Sequence, residues 1–444
     1  MRPIVEIPAE FWNVTESLEE RLPLVDRWLE LASKDAGLAE ASLLFVQHQL
    51  VNHAAQAEAI VRLGAEPERI YWLDIPYSSQ PSVRSFVQER LGVPADNFRV
   101  CDDYRVLAPY APYQLRRSVE LVLDLAERKG RPLLVLDDGA YVLEALAGLR
   151  RERWPDNVAI VEQTTRGIIK IRASAALRAA SQRLPLIDVA GSTPKRTLEP
   201  PFIAMSVCAS LDRAIRARHG GHPLRRCLVL GYGAIGEQVA TFVDRHFHVG
   251  RGNVYVFDPH PEQSALAARR GFPRWDRDAF DTRFDLVVGC SGRASFGVGD
   301  YVYLEEGALL ASASSGAVEL SRQDFIEWAD ASPSDDIQVV RDQLNDRDLH
   351  SDLTFRLVDR TAVVLNAGFP VNFDGRISTT PSRFIQPTPV MMLGATVQAR
   401  AALEAGRTGV IDLDPRLSAW LDREFRDVLG VDAHLLMPPP EEAW

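Results

Sequence analysis

The chain contains 444 residues, which is too many for one ordinary hydrophobic core, so its length predicts two or three domains. Hydrophobic residues make up 46% and charged residues 25% of the chain, a balance typical of globular proteins that excludes extensive disorder. The formal net charge of −11 argues against a protein that binds nucleic acid or an anionic membrane surface non-specifically.

The cysteines and the N-terminal segment predict the compartment. The four cysteines show no metal-ligand or redox spacing and lie far apart, at Cys101, Cys208, Cys227 and Cys290. We therefore expect a reducing environment and no metal site. The segment "MRPIVEIPAEFW" lacks a signal-sequence pattern, and no apolar run approaches membrane-spanning length. These features predict a cytoplasmic protein with no nucleic-acid or membrane partner.

Short apolar runs alternate with amphipathic stretches through the first part of the chain, the pattern of parallel α/β layers. Helical segments are predicted at 49–64 and at 113–130, the second ending at Gly130. Strands are predicted at 42–46, 70–75, 132–138, 157–162 and 184–189.

Lys195 follows the last of these strands and lies between two prolines. The chain has only four lysines although lysine and arginine together number 50. An ammonium group can lose its proton when it is desolvated, whereas a guanidinium group effectively cannot, so Lys195 is a candidate for chemistry. The alternative is chance, because a few lysines survive in any arginine-rich chain.

A connecting helix is predicted over 202–218, and the boundary between two α/β units near residues 200–225. A second series of strands then begins at Cys227. "SPSDD" (332–336) is predicted to be a surface loop, and a short helical pattern from about Leu403 precedes the tail "MPPPEEAW". The later strands are predicted at 253–258, 284–290, 308–314 and 361–367. The fold class is therefore α/β, with two Rossmann-like, doubly wound parallel-sheet domains and a short C-terminal tail.

"CLVLGYGAIGEQVATFV" places Gly231, Gly233 and Gly236 directly after a strand and at the start of a helix. This is the context of a dinucleotide fingerprint, in which the glycines allow a tight turn, close approach of a pyrophosphate and close helix packing. Asp258 ends the next strand, where a carboxylate can accept hydrogen bonds from ribose hydroxyls, and no arginine follows at once, so NAD is favoured over NADP. The alternatives are a glycine turn in a flavodoxin-like domain, or a fold that has lost its cofactor.

Several stretches together resemble S-adenosylhomocysteine hydrolase, in that family's order and at roughly its spacing between residues 40 and 400. They are "VQHQL", "VRLGAE", "LLVLDDG", "VEQTTRG", "IDVAGSTPK", "LVLGYGAIGEQ", "DPHPEQSALAARRG", "GALLASASSGAVEL" and "LNAGFPVNF". The resemblance implies a substrate domain that an NAD domain interrupts: 1–204 and 366–402 form the first, 205–365 the second, and 403–444 a C-terminal helix and tail. It also implies a tightly bound NAD, a nucleoside-type substrate, a link to one-carbon metabolism and a homo-oligomer, either a dimer or a tetramer.

The resemblance also implies catalytic roles. Lys195 would take or share the proton of the substrate's 3′-hydroxyl during hydride transfer, with Glu199 standing where the family has an aspartate. Asp138 would move protons at the 4′ and 5′ positions, and His48 would act near the 5′-leaving group. The alternatives are a helix N-cap for Asp138 and a structural role for His48.

The resemblance implies a cofactor site and a substrate site. Thr164 and Thr165 match threonines at the nicotinamide end, and Asn372 matches an asparagine near the carboxamide. The other expected cofactor residues, beyond the three fingerprint glycines and Asp258, are Ala234, Ile235, Ser291, Gly292 and Ser315. The expected substrate-binding residues are Gln163, Leu50, Asn52 and Thr380.

The chain departs from the family at several of these positions. Gln163 replaces a glutamate and cannot act as a base at ordinary pH. Leu50 and Asn52 stand where the family reads adenine, which should weaken selectivity for that base. Ser315 replaces one family histidine, and a second falls near Thr380.

Three hypotheses follow for an NAD-dependent, diverged relative. The first is hydrolysis or elimination at the 5′ position of a nucleoside or nucleoside thioether through a transient 3′-ketone. The second is a net oxidoreductase or epimerase on a related sugar. The third is a catalytically silent relative that binds NAD and a nucleoside. Likeness of fold alone does not decide between them.

Overall fold

The computed structural model describes most of the chain. Most of the predicted helix over 113–130, the predicted loop at 332–336 and the tail at 437–444 lie outside the described residues, as does Cys101. The described ranges are 7–12, 17–18, 22–32, 36–100, 117–118, 120–122, 124–125, 131–150, 154–219, 223–278, 281–320, 337–340, 350, 352–357 and 359–430.

The chain divides into two compact units. The inserted unit comprises Pro200–Gly375 and a short N-terminal segment that contains residues 7–12. The split unit comprises the described parts of Thr15–Asp102, Pro109–Glu199 and Arg376–Trp444. The sequence analysis placed the start of the inserted domain at 205 and its end at 365. What each unit binds stays a prediction.

The strands of the described residues match most of the predicted strands to within one or two residues at an end. In chain order they are β1 Ser42–Val46, β2 Ile70–Leu73, β3 Phe98–Arg99, β4 Leu133–Asp137, β5 Val158–Glu162, β6 Pro185–Asp188, β7 Cys227–Leu230, β8 Val254–Phe257, β9 Phe284–Gly289, β10 Leu304–Ser312, β11 Ile337–Val340, β12 Leu353–Leu357, β13 Arg360–Val364 and β14 Gly409–Asp412.

The helices lie between the strands in the alternation that the sequence predicts. In chain order they are α1 Ala9–Trp12, α2 Pro23–Leu31, α3 Val51–Arg62, α4 Pro81–Leu91, α5 Tyr141–Ala147, α6 Thr165–Ala173, α7 Ala175–Ser181, α8 Thr193–Thr197, α9 Pro200–His219, α10 Ala234–His246, α11 Pro261–Arg269, α12 Ser382–Ile385, α13 Pro387–Glu404 and α14 Pro415–Leu429.

The split unit is built on a parallel sheet with the strand order β14-β6-β5-β4-β1-β2-β3. The chain winds outward from β1 in one direction and from β4 in the other, so β1 and β4 are neighbours at which the winding reverses. Strands β1, β4 and β5 are buried along their whole length, since helices cover a parallel sheet. Ligands of such sheets bind beyond the carboxyl ends of the two strands at the reversal.

The inserted unit is built on a second sheet with the order β11-β12-β13-β10-β9-β7-β8. Strands β8, β7, β9, β10 and β13 run parallel to one another. Strand β12 runs antiparallel to both of its neighbours, β13 and β11. A purely parallel sheet was expected. The α/β class with two sheets dominated by parallel strands is confirmed.

The segment after Leu403 contains more structure than the predicted short helix and tail. Strand β14 pairs in parallel with β6 and extends the sheet of the split unit, with Val410 opposite Leu186. Helix α14 follows, and its side chains at Leu421, Phe425 and Leu429 are buried at helical spacing. Helix α13 is buried along most of its length, and its charged residues are few. Across the described ranges, no helix is long and apolar enough to cross a membrane.

Candidate functional site

Asp138 and His48 follow the two strands at the winding reversal of the split unit. Val46 of β1 lies opposite Asp137 of β4, and the Asp138 amide donates to the Val46 carbonyl at 3.1 Å. His48 is two residues beyond the end of β1. Both side chains are almost fully buried, with 4% of His48 and 3% of Asp138 exposed. The position matches the expected ligand site of an open α/β sheet.

The hydrogen bonds of His48 indicate where its proton lies. Its Nδ1 contacts the hydroxyl of Ser78, and that hydroxyl donates to the Ile75 carbonyl at 3.1 Å. Because a hydroxyl has one hydrogen, Ser78 must accept from His48 Nδ1–H. The lone pair of His48 Nε2 then faces Asp138 Oδ2 across 3.4 Å. A proton carried by Asp138 can therefore be shared with this nitrogen.

Burial sets the protonation of this pair. Desolvation, and then the charge of Lys195, lower the pKa of His48 to about 3, so the imidazole is neutral at pH 7. Desolvation raises the pKa of Asp138 to about 6, although Lys195 and Arg166 act in the opposite direction. The contact between the two is therefore not an ion pair at neutral pH, and Asp138 titrates close to the range in which a general base works best.

A chain of three buried glutamine side chains ends at Asp138. Gln56 donates to Gln47 at 3.1 Å, Gln47 donates to Gln163 at 2.8 Å, and Gln163 donates to Asp138 Oδ2 at 3.0 Å. Every amide in the chain points its N–H toward the carboxylate, so the dipoles add in one direction. Gln163, which was expected to bind substrate, hydrogen-bonds Gln47 and Asp138, and its contact with substrate stays a prediction. The sequence analysis did not identify Gln47 or Gln56, because a glutamine at a core position has no motif.

Two further carboxyl groups hold the turn that follows Asp138. Asp137 accepts from the amides of Tyr141 and Val142, and Glu162 accepts from the amides of Gly139 and Ala140. Gly139 and Ala140 have φ angles of 124° and 56°, a left-handed conformation that costs a non-glycine residue roughly 1–2 kcal/mol. The carboxylates offset this cost. Asp138 is thus held from both sides and is not a helix N-cap.

Lys195 is partly buried and paired with Glu199. Its Nζ lies 2.5 Å from Glu199 Oε2, and the two side chains are 14% and 13% exposed. Thr388 donates to the same carboxylate oxygen at 2.8 Å. The short helix α8 begins at the N-cap Ser192 and contains Lys195, and Glu199 follows two residues after the end of the helix. The amine of Lys195 therefore contacts a carboxylate that also accepts a hydrogen bond from Thr388.

Of the predicted substrate-binding residues, Leu50 and Asn52 lie at the start of α3, and Thr380 lies near α12. Leu50 is the N-cap of α3 and is buried, and its side chain can make no hydrogen bond. Asn52 is half-buried in the first turn, and Thr380 is buried with its carbonyl accepting from Ser378. Arg166 stacks beside the Tyr141 ring and donates to its hydroxyl at 3.3 Å.

The glycine turn of the inserted unit has the conformation that its motif predicts. Gly231 has a φ of 95°, and a Cβ there would lie 2.8 Å from the backbone of Ser291. A Cβ on Gly236 would lie 2.0 Å from the Gly231 carbonyl oxygen, so only glycine allows the helix this close to the strand. A Cβ on Gly233 would meet nothing within 4 Å. That open space beside the uncapped N-terminus of α10 suits the approach of a pyrophosphate.

Asp258 closes the same turn from the end of β8. Its two carboxylate oxygens accept from the amides of Tyr232, at 2.7 Å, and His260, at 2.9 Å. Each oxygen retains a second lone pair, which is what a ribose hydroxyl requires. The residues present therefore fit a dinucleotide, with Asp258 on its adenosine end.

A buried glutamate, which the sequence analysis missed, organises the neighbouring loop. Glu319 is fully buried and accepts from the hydroxyls of Ser291 at 2.8 Å, Ser314 at 2.5 Å and Ser295. Burial raises its pKa despite these hydrogen bonds. The Gly292 amide also donates to it. Ser291 and Gly292, both expected to bind the cofactor, are thus held against Gly231 by this cluster.

The other expected cofactor residues have varied environments. Ala234 and Ile235 form the first turn of α10, Ser315 is half-buried, and Asn372 is buried. Thr165 is exposed. Thr164 caps α6, because its hydroxyl accepts from the Gly167 amide at 3.0 Å and donates to Glu162 at 2.7 Å. Cofactor contacts at these residues stay predictions. In the described part of the chain, no group of three or more His, Cys, Asp or Glu side chains could hold a metal ion.

The raised pKa of Asp138 predicts a pH-dependent stability difference between the protein and an Asp138→Asn variant. The ordinary pKa of this side chain is 3.8, so between that pH and about pH 6 folded Asp138 keeps a proton that the unfolded chain has lost. The contribution of the Asp138 proton to the free energy of unfolding is therefore full below about pH 4 and is lost as the pH rises to about 6. This is a change of about 3 kcal/mol at roughly 1.4 kcal/mol per pKa unit. Urea unfolding in a buffer series measures it.

His48 has a lowered pKa and acts with the opposite sign, so only the difference between the protein and the variant isolates Asp138. Asp156→Asn, at an exposed position in the same unit, is the matched control. A wild-type-minus-variant difference that stays constant from pH 4 to pH 7 contradicts the assignment.

The two units together define a class of protein: an α/β protein of Rossmann type, with a glycine turn in one unit and a buried acid–base cluster in the other. No protein-family model matches the chain. The chain is 29% identical over 360 residues to an uncharacterised protein of Mycobacterium tuberculosis, covering 80% of this chain and 62% of that protein. The chain therefore spans less than two thirds of the length of that relative.

The chain is also similar to adenosylhomocysteinases. It is 24% identical over 308 residues to the one from Thermosynechococcus vestitus, covering 69% of this chain and 66% of that enzyme. It is 24% identical over 302 residues to the one from Pyrococcus abyssi, covering 68% and 64%. Among solved structures, dipicolinate synthase A chain from Bacillus subtilis is 11% identical at a TM-score of 0.35, covering 83% of this chain and 97% of that chain, which supports no conclusion about function.

These relatives confirm the resemblance to the adenosylhomocysteinase family, at the distance of a diverged relative. The expectation of NAD as the cofactor agrees with that resemblance.

Proposed function

We propose that the protein is an NAD-dependent, adenosylhomocysteinase-like enzyme that acts on a nucleoside or nucleoside thioether. The observation that carries the proposal is the buried cluster at the winding reversal of the split unit, where Asp138, titrating near pH 6, contacts a neutral His48. Lys195 and Glu199 supply a second proton-transfer pair in the same unit. Burying ionisable groups such as Asp138 and His48 costs stability, and strongly shifted groups of this kind cluster at functional sites.

The cofactor would be held by the glycine turn, with the ribose hydroxyls of its adenosine on Asp258. When bound, NAD would supply a hydride acceptor for the oxidation of the 3′-carbon of the substrate and a hydride donor for its later reduction. Lys195, whose own proton can pass to Glu199 at 2.5 Å, would then take the proton of the 3′-hydroxyl. The resulting ketone acidifies the neighbouring 4′-hydrogen.

Asp138, as the carboxylate, removes the 4′-proton and can share it with His48 Nε2. The electrons left at the 4′-carbon expel the 5′-substituent. The leaving group takes up the proton that Asp138 and His48 share. Water then adds at the 5′-carbon, and the steps at the 4′- and 3′-carbons reverse. Oxidation and reduction cancel, so the net reaction is hydrolysis. Because Asp138 must be ionised to act, we expect the rate to rise as the pH increases through about 6.

The experiment uses the purified full chain, assayed first for NAD that copurifies with it. Nucleosides and nucleoside thioethers are then added while the near-ultraviolet absorbance of reduced nicotinamide and the release of a 5′-thiol are followed. Transient reduction with thiol release supports the proposal. The Asp138→Asn variant should still reduce the cofactor and release no thiol, because only the second proton transfer is lost.

The other outcomes contradict hydrolysis and identify the alternatives. Persistent reduction or a ketone product would show an oxidoreductase or epimerase. Binding of nucleosides without any redox change would show a catalytically silent relative. A cytoplasmic location and a homo-oligomeric state, either dimer or tetramer, are part of the same proposal and are checked by fractionation and by analytical ultracentrifugation.

A further inference from the structure

The split unit contains a buried histidine that the proposed chemistry does not use. His53 lies in the first turn of α3 and is 2% exposed. Neither of its ring nitrogens has a hydrogen-bond partner among the described residues. Burial lowers its pKa well below the usual value, with the charges of His48 and Lys195 acting in the same direction. His53 is therefore a neutral imidazole with one donor and one acceptor unsatisfied.

Two further buried polar atoms without a hydrogen-bond partner among the described residues occur in the same part of the split unit. The ring of His53 lies edge-on to that of His48, with the centroids 5.7 Å apart, and so borders the acid–base cluster. In that cluster Asp138 Oδ1 also has no hydrogen-bond partner within the described residues. The same holds for the amide nitrogen of Gln49, which is fully buried four residues before His53. Native structures leave few buried polar groups unsatisfied, and such groups concentrate where something else completes them.

We infer that His53 is a specificity-determining residue whose two ring nitrogens, which point in different directions, hydrogen-bond uncharged polar groups of the ligand, one an acceptor and the other a donor. A nucleobase carries both kinds of group, and a hydroxyl group can satisfy either nitrogen. A cationic group does not match, because His53 lies in the field of Lys195, and an anionic group could satisfy only the N–H of the neutral imidazole. The inference rests on the proposed function. His53 would make the hydrogen bonds to the ligand that the side chain of Leu50 cannot make.

The test measures ligand binding and thermal stability in the full chain. The variants are His53→Leu, which removes both nitrogens, and His53→Gln, which keeps one donor and one acceptor. The matched control is His248→Asn, at an exposed histidine with a φ of 53° that asparagine tolerates. Adenosine, inosine, cytidine and uridine are the probes, titrated by calorimetry.

We expect His53→Leu to melt at a higher temperature than the wild type without ligand, because two unsatisfied polar atoms are removed from the interior. Its affinity for the nucleoside that the wild type prefers should fall roughly 10- to 100-fold, while His53→Gln should keep most of it. The cofactor content should not change, since the glycine turn belongs to the inserted unit.

Equal nucleoside affinities of His53→Leu and the wild type would overturn the inference and leave the proposed function standing. A lower melting temperature of ligand-free His53→Leu would show a structural histidine and would also overturn it. Stabilisation of the wild type, but not of His53→Leu, by Zn²⁺ alone would assign a metal ligand instead. Failure of the wild type to bind any nucleoside would overturn both proposals.

Discussion

Replacing Lys195 by methionine should lower the rate of cofactor reduction by roughly 10²- to 10⁴-fold, the range that a positioned acid or base contributes. The methionine fills a similar volume but cannot take the proton of a 3′-hydroxyl. Lys195→Arg should be almost as damaging, because arginine keeps the charge and the contact with Glu199 but does not release its proton at ordinary pH. Stopped-flow measurement of reduced nicotinamide after addition of substrate gives the rate.

The Lys195→Arg variant distinguishes a catalytic role of Lys195 from a purely structural one. If Lys195 serves only to pair with Glu199, Lys195→Arg preserves the ion pair and should preserve the rate, which would contradict the catalytic role. The control is Lys170→Met, which removes a more exposed ion pair with Glu144 in the same unit. It should change the rate by less than about twofold, since exposed pairs contribute little.

Substituting the glycines of the turn should produce two different losses. Gly236→Ala must place a Cβ 2.0 Å from the Gly231 carbonyl oxygen, so the backbone has to move. We expect it to destabilise the inserted unit by about 3 kcal/mol or more. Gly233→Ala meets nothing within 4 Å and should fold normally. Its methyl group would occupy the space for the pyrophosphate, so the affinity for NAD should fall roughly 10- to 100-fold.

Gly252→Ala controls for the substitution itself, because a Cβ there also meets nothing within 4 Å and the residue lies before β8 rather than in the turn. Calorimetry with NAD and thermal unfolding of each variant are the measurements. Undiminished binding of NAD by Gly233→Ala would mean that no dinucleotide lies against this turn. Normal stability of Gly236→Ala would contradict the close approach of helix and strand.

Local sequence patterns were sufficient to predict most of the strands of both units. Apolar runs of four to six residues predicted strands such as β1 and β9 almost to the residue, because a strand buried on both faces must be apolar throughout. The glycine motif predicted a left-handed turn, and Gly231 adopts it. Antiparallel β12 was not predicted, since a strand's direction depends on its partner and not on its own residues. Strand β14 follows a helix closely, and its four residues fall within the helical pattern that the sequence predicts from about Leu403.

The primary structure alone established the class of fold, the position of the glycine turn and the charged residues available for chemistry, because these depend on residue type and short-range spacing. Asp138, His48 and Lys195 could be named from the resemblance. Their protonation could not, since the pKa of Asp138 depends on burial and on groups distant along the chain.

Only the folded chain brings together Gln47, Gln56 and Gln163 in the hydrogen-bonded chain that ends at Asp138. Only the folded chain leaves His53 buried with no hydrogen-bond partner in the described ranges. Hydrogen-bond direction and desolvation are properties of three-dimensional neighbours, which is why these features lie beyond any pattern in the sequence.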